Sequence, residues 1–87
     1  MGPYSSTYIS TATTTTVKSG RGVLRKIIIT ETAAGAVTVY DNTAGSGTVI
    51  TAFKASVVEG EYEFNTRFQT GLTIVTAGAS KITVIWE

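Results

Sequence analysis

Cysteine and histidine are both missing from this 87-residue sequence. Without thiols there are no disulfides and no Cys-ligated zinc, and without imidazole the commonest general base of enzymes is gone. Proline occurs once, at Pro3, so strand interiors carry no ladder breaker. Charge is sparse as well: seven Lys+Arg stand against six Asp+Glu, a net charge of +1. That lacks the concentrated basic character of a phosphate-backbone binder, and nucleic acid is not expected as a partner. No apolar run approaches the ~18–20 residues of a membrane span, so no membrane partner is expected either. The start, Met1-Gly2-Pro3-Tyr4-Ser5-Ser6, lacks the basic-then-apolar order of a signal peptide. It matches the loose acylation pattern Met-Gly-x-x-x-Ser, but Pro3 beside Gly2 constrains the backbone that an acylating enzyme must grip.

What is present is β-branched. The chain holds 17 Thr, 9 Val and 8 Ile, so 34 of 87 residues favour extended backbone, whereas leucine appears only at Leu24 and Leu72. A domain of this size buries only ~60–65% of its unfolded surface and commonly relies on disulfides, metals or oligomerisation. Self-association is the support that this composition leaves open.

Along the chain, Tyr4 to Lys18 is Thr-rich with weak alternation, which suits an edge strand or an arm laid on another surface. Ser19-Gly20-Arg21-Gly22 reads as a turn. Val23 to Glu31 is the most apolar run, and its three consecutive isoleucines argue for a strand covered on both faces near its middle. Ala36 to Tyr40 alternates, Asp41 to Gly47 is a cluster of turn formers, and Thr48 to Phe53 resumes the β-pattern, together a hairpin with a longish loop. In Glu61-Tyr62-Glu63-Phe64-Asn65 the alternation is complete, placing Tyr62 and Phe64 inward. Leu72–Thr76 and Lys81–Trp86 complete the set, with Ile82, Val84 and Trp86 on one face. No 3.6-residue period is sustained. The expected fold is all-β: a single small antiparallel β-sandwich, jelly-roll-like, of seven or eight short strands with little or no helix. Residues 1–12 are expected to form an N-terminal arm and residues 13–87 the sandwich.

Sites of chemistry are scarce. Asp41-Asn42 before Gly45 and Gly47 offers one carboxylate, too few for a calcium loop, and reads as turn chemistry. Glu61 and Glu63 are two residues apart on one strand, side by side and not across a cleft as a glycosidase requires. Lys18-Ser19 is only a sequence neighbour pair, and the Gly-rich turns fit no nucleotide-binding fingerprint. No catalytic residue, cofactor or metal is expected. The candidate contact residues are Tyr4, Tyr8 and Ile9 of the N-terminal segment, together with Arg21 and Arg25 from a basic concentration that also contains Lys18 and Lys26. The plainer alternatives are packing on the chain's own domain for the tyrosines and solvation for the arginines.

Three stretches, Val39 to Ile50, Tyr62 to Asn65 and Phe68 to Val75, together with Thr14 to Gly20, resemble small all-β virion proteins of tailed bacteriophages, including capsid decoration (cement) proteins. The likeness runs from about Thr11 to Trp86, and this chain departs from it in the basic segment at Arg21. The resemblance implies a non-enzymatic oligomer, a homotrimer, on the outer capsid surface of a virion, binding the major capsid protein and stabilising capsomer junctions. A tail, baseplate or fibre component is the alternative within the virion, and a carbohydrate-binding module the alternative outside it.

Overall fold

The alternating stretches become strands. The computed structural model describes residues 4–87, and the acylation reading, which turns on Gly2 and Pro3, lies outside them. The strands are β1 (Ser5–Ile9), β2 (Thr14–Ser19), β3 (Gly22–Glu31), β4 (Val37–Asp41), β5 (Thr48–Phe53), β6 (Gly60–Phe68), β7 (Gly71–Thr76) and β8 (Lys81–Trp86), with no helix among the described residues. They form two four-stranded sheets, ordered β1-β8-β3-β6 and β2-β7-β4-β5, in which every pairing is antiparallel. The fold is an eight-stranded β-sandwich 17 Å thick and 30 Å across in both other directions. Ser5–Ile9, within the segment expected as an arm, pairs with β8 at the edge of the first sheet.

Period two decides which side chains meet between the sheets. Ile9, Leu24, Ile27, Ile29, Ile82 and Val84 face inward from the first sheet, and Val37, Val39, Phe53, Leu72 and Ile74 from the second. Burying each such side chain is worth ~1.5–3 kcal/mol. Ile28, between two buried isoleucines, points the other way and is only half-buried, because no third layer of described residues lies over it. Cover on both faces of β3 therefore does not come from the sandwich itself.

Two polar devices hold the connections. The Thr76 side chain is buried; its hydroxyl donates to the Thr11 carbonyl at 2.6 Å and accepts from the Thr13 amide at 3.0 Å, fixing the passage from β1 in one sheet to β2 in the other. The Asp41 carboxylate, at the end of β4, accepts from the backbone amides of Gln69 (3.0 Å) and Thr70 (2.8 Å), with Gly71 at 3.4 Å, and so caps the β6–β7 turn. At Gly71 a Cβ would stand 2.9 Å from the carbonyl oxygens of Asn42 and Lys18, so only glycine lets the two loops meet.

The amides of Thr70 and Gln69 hold the Asp41 carboxyl below the ordinary carboxylate range, against a small opposing desolvation. A lowered folded pKa gives stability that is complete above the unfolded pKa and is lost as pH falls through the folded one. Asp41→Ala should therefore cost about 1 kcal/mol at neutral pH, the low end for a charge-assisted set in contact with water. In urea titrations the stability difference between the wild type and Asp41→Asn should shrink below about pH 4. A difference that stays constant down to pH 2 would remove the clamp from the account.

Candidate interaction surface

The two outer faces differ. Over the second sheet the β4–β5 loop folds across β7 and β2: the Thr73 hydroxyl donates to the Asn42 carbonyl at 2.7 Å, the Thr16 hydroxyl donates to the Thr43 carbonyl at 3.2 Å, and Gly45 lies against Val75 and Thr14. Asn42 stiffens that loop by accepting from the Thr43 amide and donating to the Ser46 carbonyl. Asp41 and Asn42 thus perform turn chemistry, and no cluster of three or more potential metal ligands exists among the described residues.

Among the described residues, the outer face of the first sheet has no such cover. Cross-strand register sets two rows there, Tyr8–Thr83–Ile28–Glu61 and Ser6–Ile85–Lys26–Glu63. Tyr8 is 59% exposed, and Ile28 and Ile85 are half-buried. Glu61 and Glu63 lie side by side on this face as the two-residue spacing predicts. Glu61 pairs with Lys26 at 3.1 Å, and Lys81 pairs with Glu31 at 3.7 Å.

At one end of this face the pleat is interrupted. The β3–β6 register shifts between Leu24 and Lys26, where Phe64 and Asn65 stand opposite Arg25 alone, and Asn65 adopts a left-handed φ of 51°. The shift places Arg25 so that its guanidinium donates to Asn65 Oδ1 (3.1 Å) and to the Tyr4 hydroxyl (2.8 Å), lies 4.9 Å from the Tyr4 ring centre and pairs with Glu87 at 3.3 Å. The Tyr4 hydrogen bond is the main cause that raises its pKa.

Of the five contact candidates, the structure brings Tyr4 and Arg25 together. Tyr8 points to the open face, whereas Ile9, its neighbour in β1, is 4% exposed and belongs to the core. Arg21 lies beyond the start of β3, beside Arg67 across a shallow pocket. Lys18 lies 5.8 Å from the Trp86 ring centre and does not hydrogen-bond Ser19. Arg67 is not among the sequence candidates, although continuing the alternation Glu61, Glu63, Asn65 by one more step reaches it.

The sandwich also has two flanks. On one, β5 and β6 approach each other and Phe53 meets Tyr62 and Phe64 edge-on, with ring centres 5.0 and 6.0 Å apart. Ile50 and Val57 are only partly buried there, and Val58 is 73% exposed. The other flank carries β1 and β2, with partly buried Val17 and with the Trp86 indole donating to the Thr7 hydroxyl at 3.1 Å.

No family model matches the sequence, and no curated protein matches it. Among solved structures the chain is similar to the NLP core of Drosophila, a nucleoplasmin-type core whose crystal structure is described in terms of pentamer formation and histone binding. The superposition has a TM-score of 0.63 and covers 99% of this chain and 97% of that one, at 13% sequence identity. The shared property is the fold. This finding overturns the resemblance to phage decoration proteins, and with it the homotrimer, the major capsid protein as partner, the outer capsid surface as location and the tail and carbohydrate-binding alternatives. The reason is visible in the residues that suggested them. Val39 to Ile50 is a hairpin whose loop lies on its own sheet, Tyr62 to Asn65 is an edge strand, and Phe68 to Val75 is the turn that Asp41 caps, with the strand that follows it. Such motifs specify how a sandwich closes and carry no information about where it binds.

Because Asn65 sits in the left-handed region, Asn65→Val should destabilise the fold by about 1–2 kcal/mol, whereas Asn65→Gly should leave it within about 0.5 kcal/mol. Chemical denaturation of the two variants measures this, and equal losses would mean that the left-handed backbone is not what the asparagine supplies.

Proposed function

We propose that this chain is a non-enzymatic assembly module that closes into a ring of five copies and binds a basic protein on the ring. The observation that carries this reading is the agreement in fold, over nearly the whole of both chains, with the pentamer-forming NLP core. A cyclic ring needs two different surfaces that fit each other. The flanks are suited to that role: both leave part of the apolar core half-covered, and both end in edge strands with backbone groups free to pair. Apolar edges of this kind favour pairing with a neighbour over exposure to water.

Many charged side chains of the chain are engaged in holding structure. Arg25 is held by Glu87, Lys26 by Glu61 and Lys81 by Glu31, while Asp41 caps a turn. That supports binding and scaffolding as the activity. The NLP core is described as binding histones. In this chain the acidic groups that would meet a basic protein of that chemistry are Glu61 and Glu63 on β6, with Glu59 just before the strand and Glu31 nearby, on a chain of net charge +1. Glu63 has no side-chain partner among the described residues, and a basic partner would compete with Lys26 for Glu61, with Lys81 for Glu31 and with the Thr32 amide for Glu59. The attraction is local and salt-sensitive, and repetition around a ring would multiply it.

Light scattering on the purified protein should give about 45 kDa, five copies of 9.1 kDa. A mass of one or three copies would overturn the ring. Histone binding followed by fluorescence anisotropy should weaken severalfold in Glu61→Gln/Glu63→Gln at low salt, and equal binding by the wild type and this variant would remove the acidic edge as the contact while leaving the ring intact.

A further inference from the structure

Of the seven cationic side chains, three pair with carboxylates (Arg25, Lys26 and Lys81) and Lys18 lies over the Trp86 ring. Arg21, Arg67 and Lys54 have no side-chain partner among the described residues. Two of these three share one place. Val23 pairs with Arg67 and Gly22 with Phe68, and since Leu24 and Phe68 point into the core, alternation turns Val23 and Arg67 to the outer face, with Arg21 directly before β3 and Gln69 directly after β6. There they line a shallow pocket of about 330 Å³ together with Gly22 and Phe68.

Two like charges that line one pocket repel unless something compensates them. Arg67 rises from the paired backbone of β6, and Arg21 stands between Gly20, whose amide donates to the Thr70 carbonyl, and Gly22, the first paired residue of β3. A guanidinium presents a planar fork of donors that matches a carboxylate or phosphoryl group, and two forks over one concavity can enclose such a group from two sides. The pocket volume suits a small ligand.

We propose that the pocket between Arg21 and Arg67 binds a small oxyanion, phosphoryl or carboxylate. Arg67 belongs to the β6 edge strand of the β5–β6 flank, and the site lies at the opposite end of β6 from Glu61 and Glu63. It takes a small anion and uses none of the acidic residues, so its failure is distinguishable from failure of the acidic contact.

Amide chemical-shift titration of the full chain with sodium phosphate and, in a second arm, sodium acetate tests this against sodium chloride at matched ionic strength. The expected result is saturating shifts at Gly22, Val23, Phe68 and Gln69 with a Kd on the order of 1 mM. Arg21→Ala or Arg67→Ala should weaken binding about tenfold or more, and Arg67→Lys, which keeps the charge without the fork, should also weaken it. Lys54→Ala should bind as the wild type does. Tighter phosphate binding assigns the phosphoryl group and tighter acetate binding a carboxylate, and either supports the site. Non-saturating shifts equal to those from chloride, or unchanged affinity in Arg21→Ala/Arg67→Ala, would overturn it.

Discussion

Apolar contact between two four-stranded sheets is the constraint on which the rest of this molecule depends. Among the described residues twelve buried hydrophobic side chains fill the interlayer, and cysteine and histidine are absent from the chain. Each strand can give only alternate residues to that layer, so the supply of core is limited by geometry as well as by length. Val17, Ile50, Val57, Tyr62, Phe64 and Trp86 reach the core yet remain partly open to water. Where they gather, at the flanks, is where this fold has most to gain from a neighbour.

Much of the architecture was legible because period two is a strong signal. Glu61 to Asn65 announced its own inner and outer faces, and Ile82, Val84 and Trp86 shared one face as their spacing required. The three isoleucines of β3 misled in part: consecutive apolar residues suggested cover on both sides, but Ile28 faces outward and no described layer of this chain covers it. Long-range polar contacts were not legible. Thr76 meets Thr11 and Thr13 across more than 60 positions, and nothing distinguishes it in sequence from the other sixteen threonines. Asp41 could be read as a turn residue, but its partners lie in a different turn, 28 to 30 positions away.

The candidate contacts divide along the same line. Tyr4 and Arg25 were singled out separately, and their meeting depends on a register shift at Asn65 that alternation cannot announce. Sequence adjacency groups Ile9 with the tyrosines, although adjacent strand positions point to opposite faces. The phage resemblance failed for a related reason. It rested on turns and core positions, which are shared by sandwiches of unrelated use, and function resides in surfaces that such motifs do not describe.

In the proposed ring the surfaces divide the work, with the flanks meeting neighbouring copies, the acidic stretch of β6 meeting a basic partner, and the open face left for further contacts. Its central claim is that the β5–β6 flank of one copy meets the β1–β2 flank of the next. Hydrogen exchange, compared between concentrated and highly diluted protein, tests that claim most directly. Edge-strand amides of β5, β6, β1 and β2 should slow together on assembly while amides in the interior strands β3, β4, β7 and β8 keep their rates. Exchange at these edges that does not change with concentration, or slows on one flank only, would contradict it.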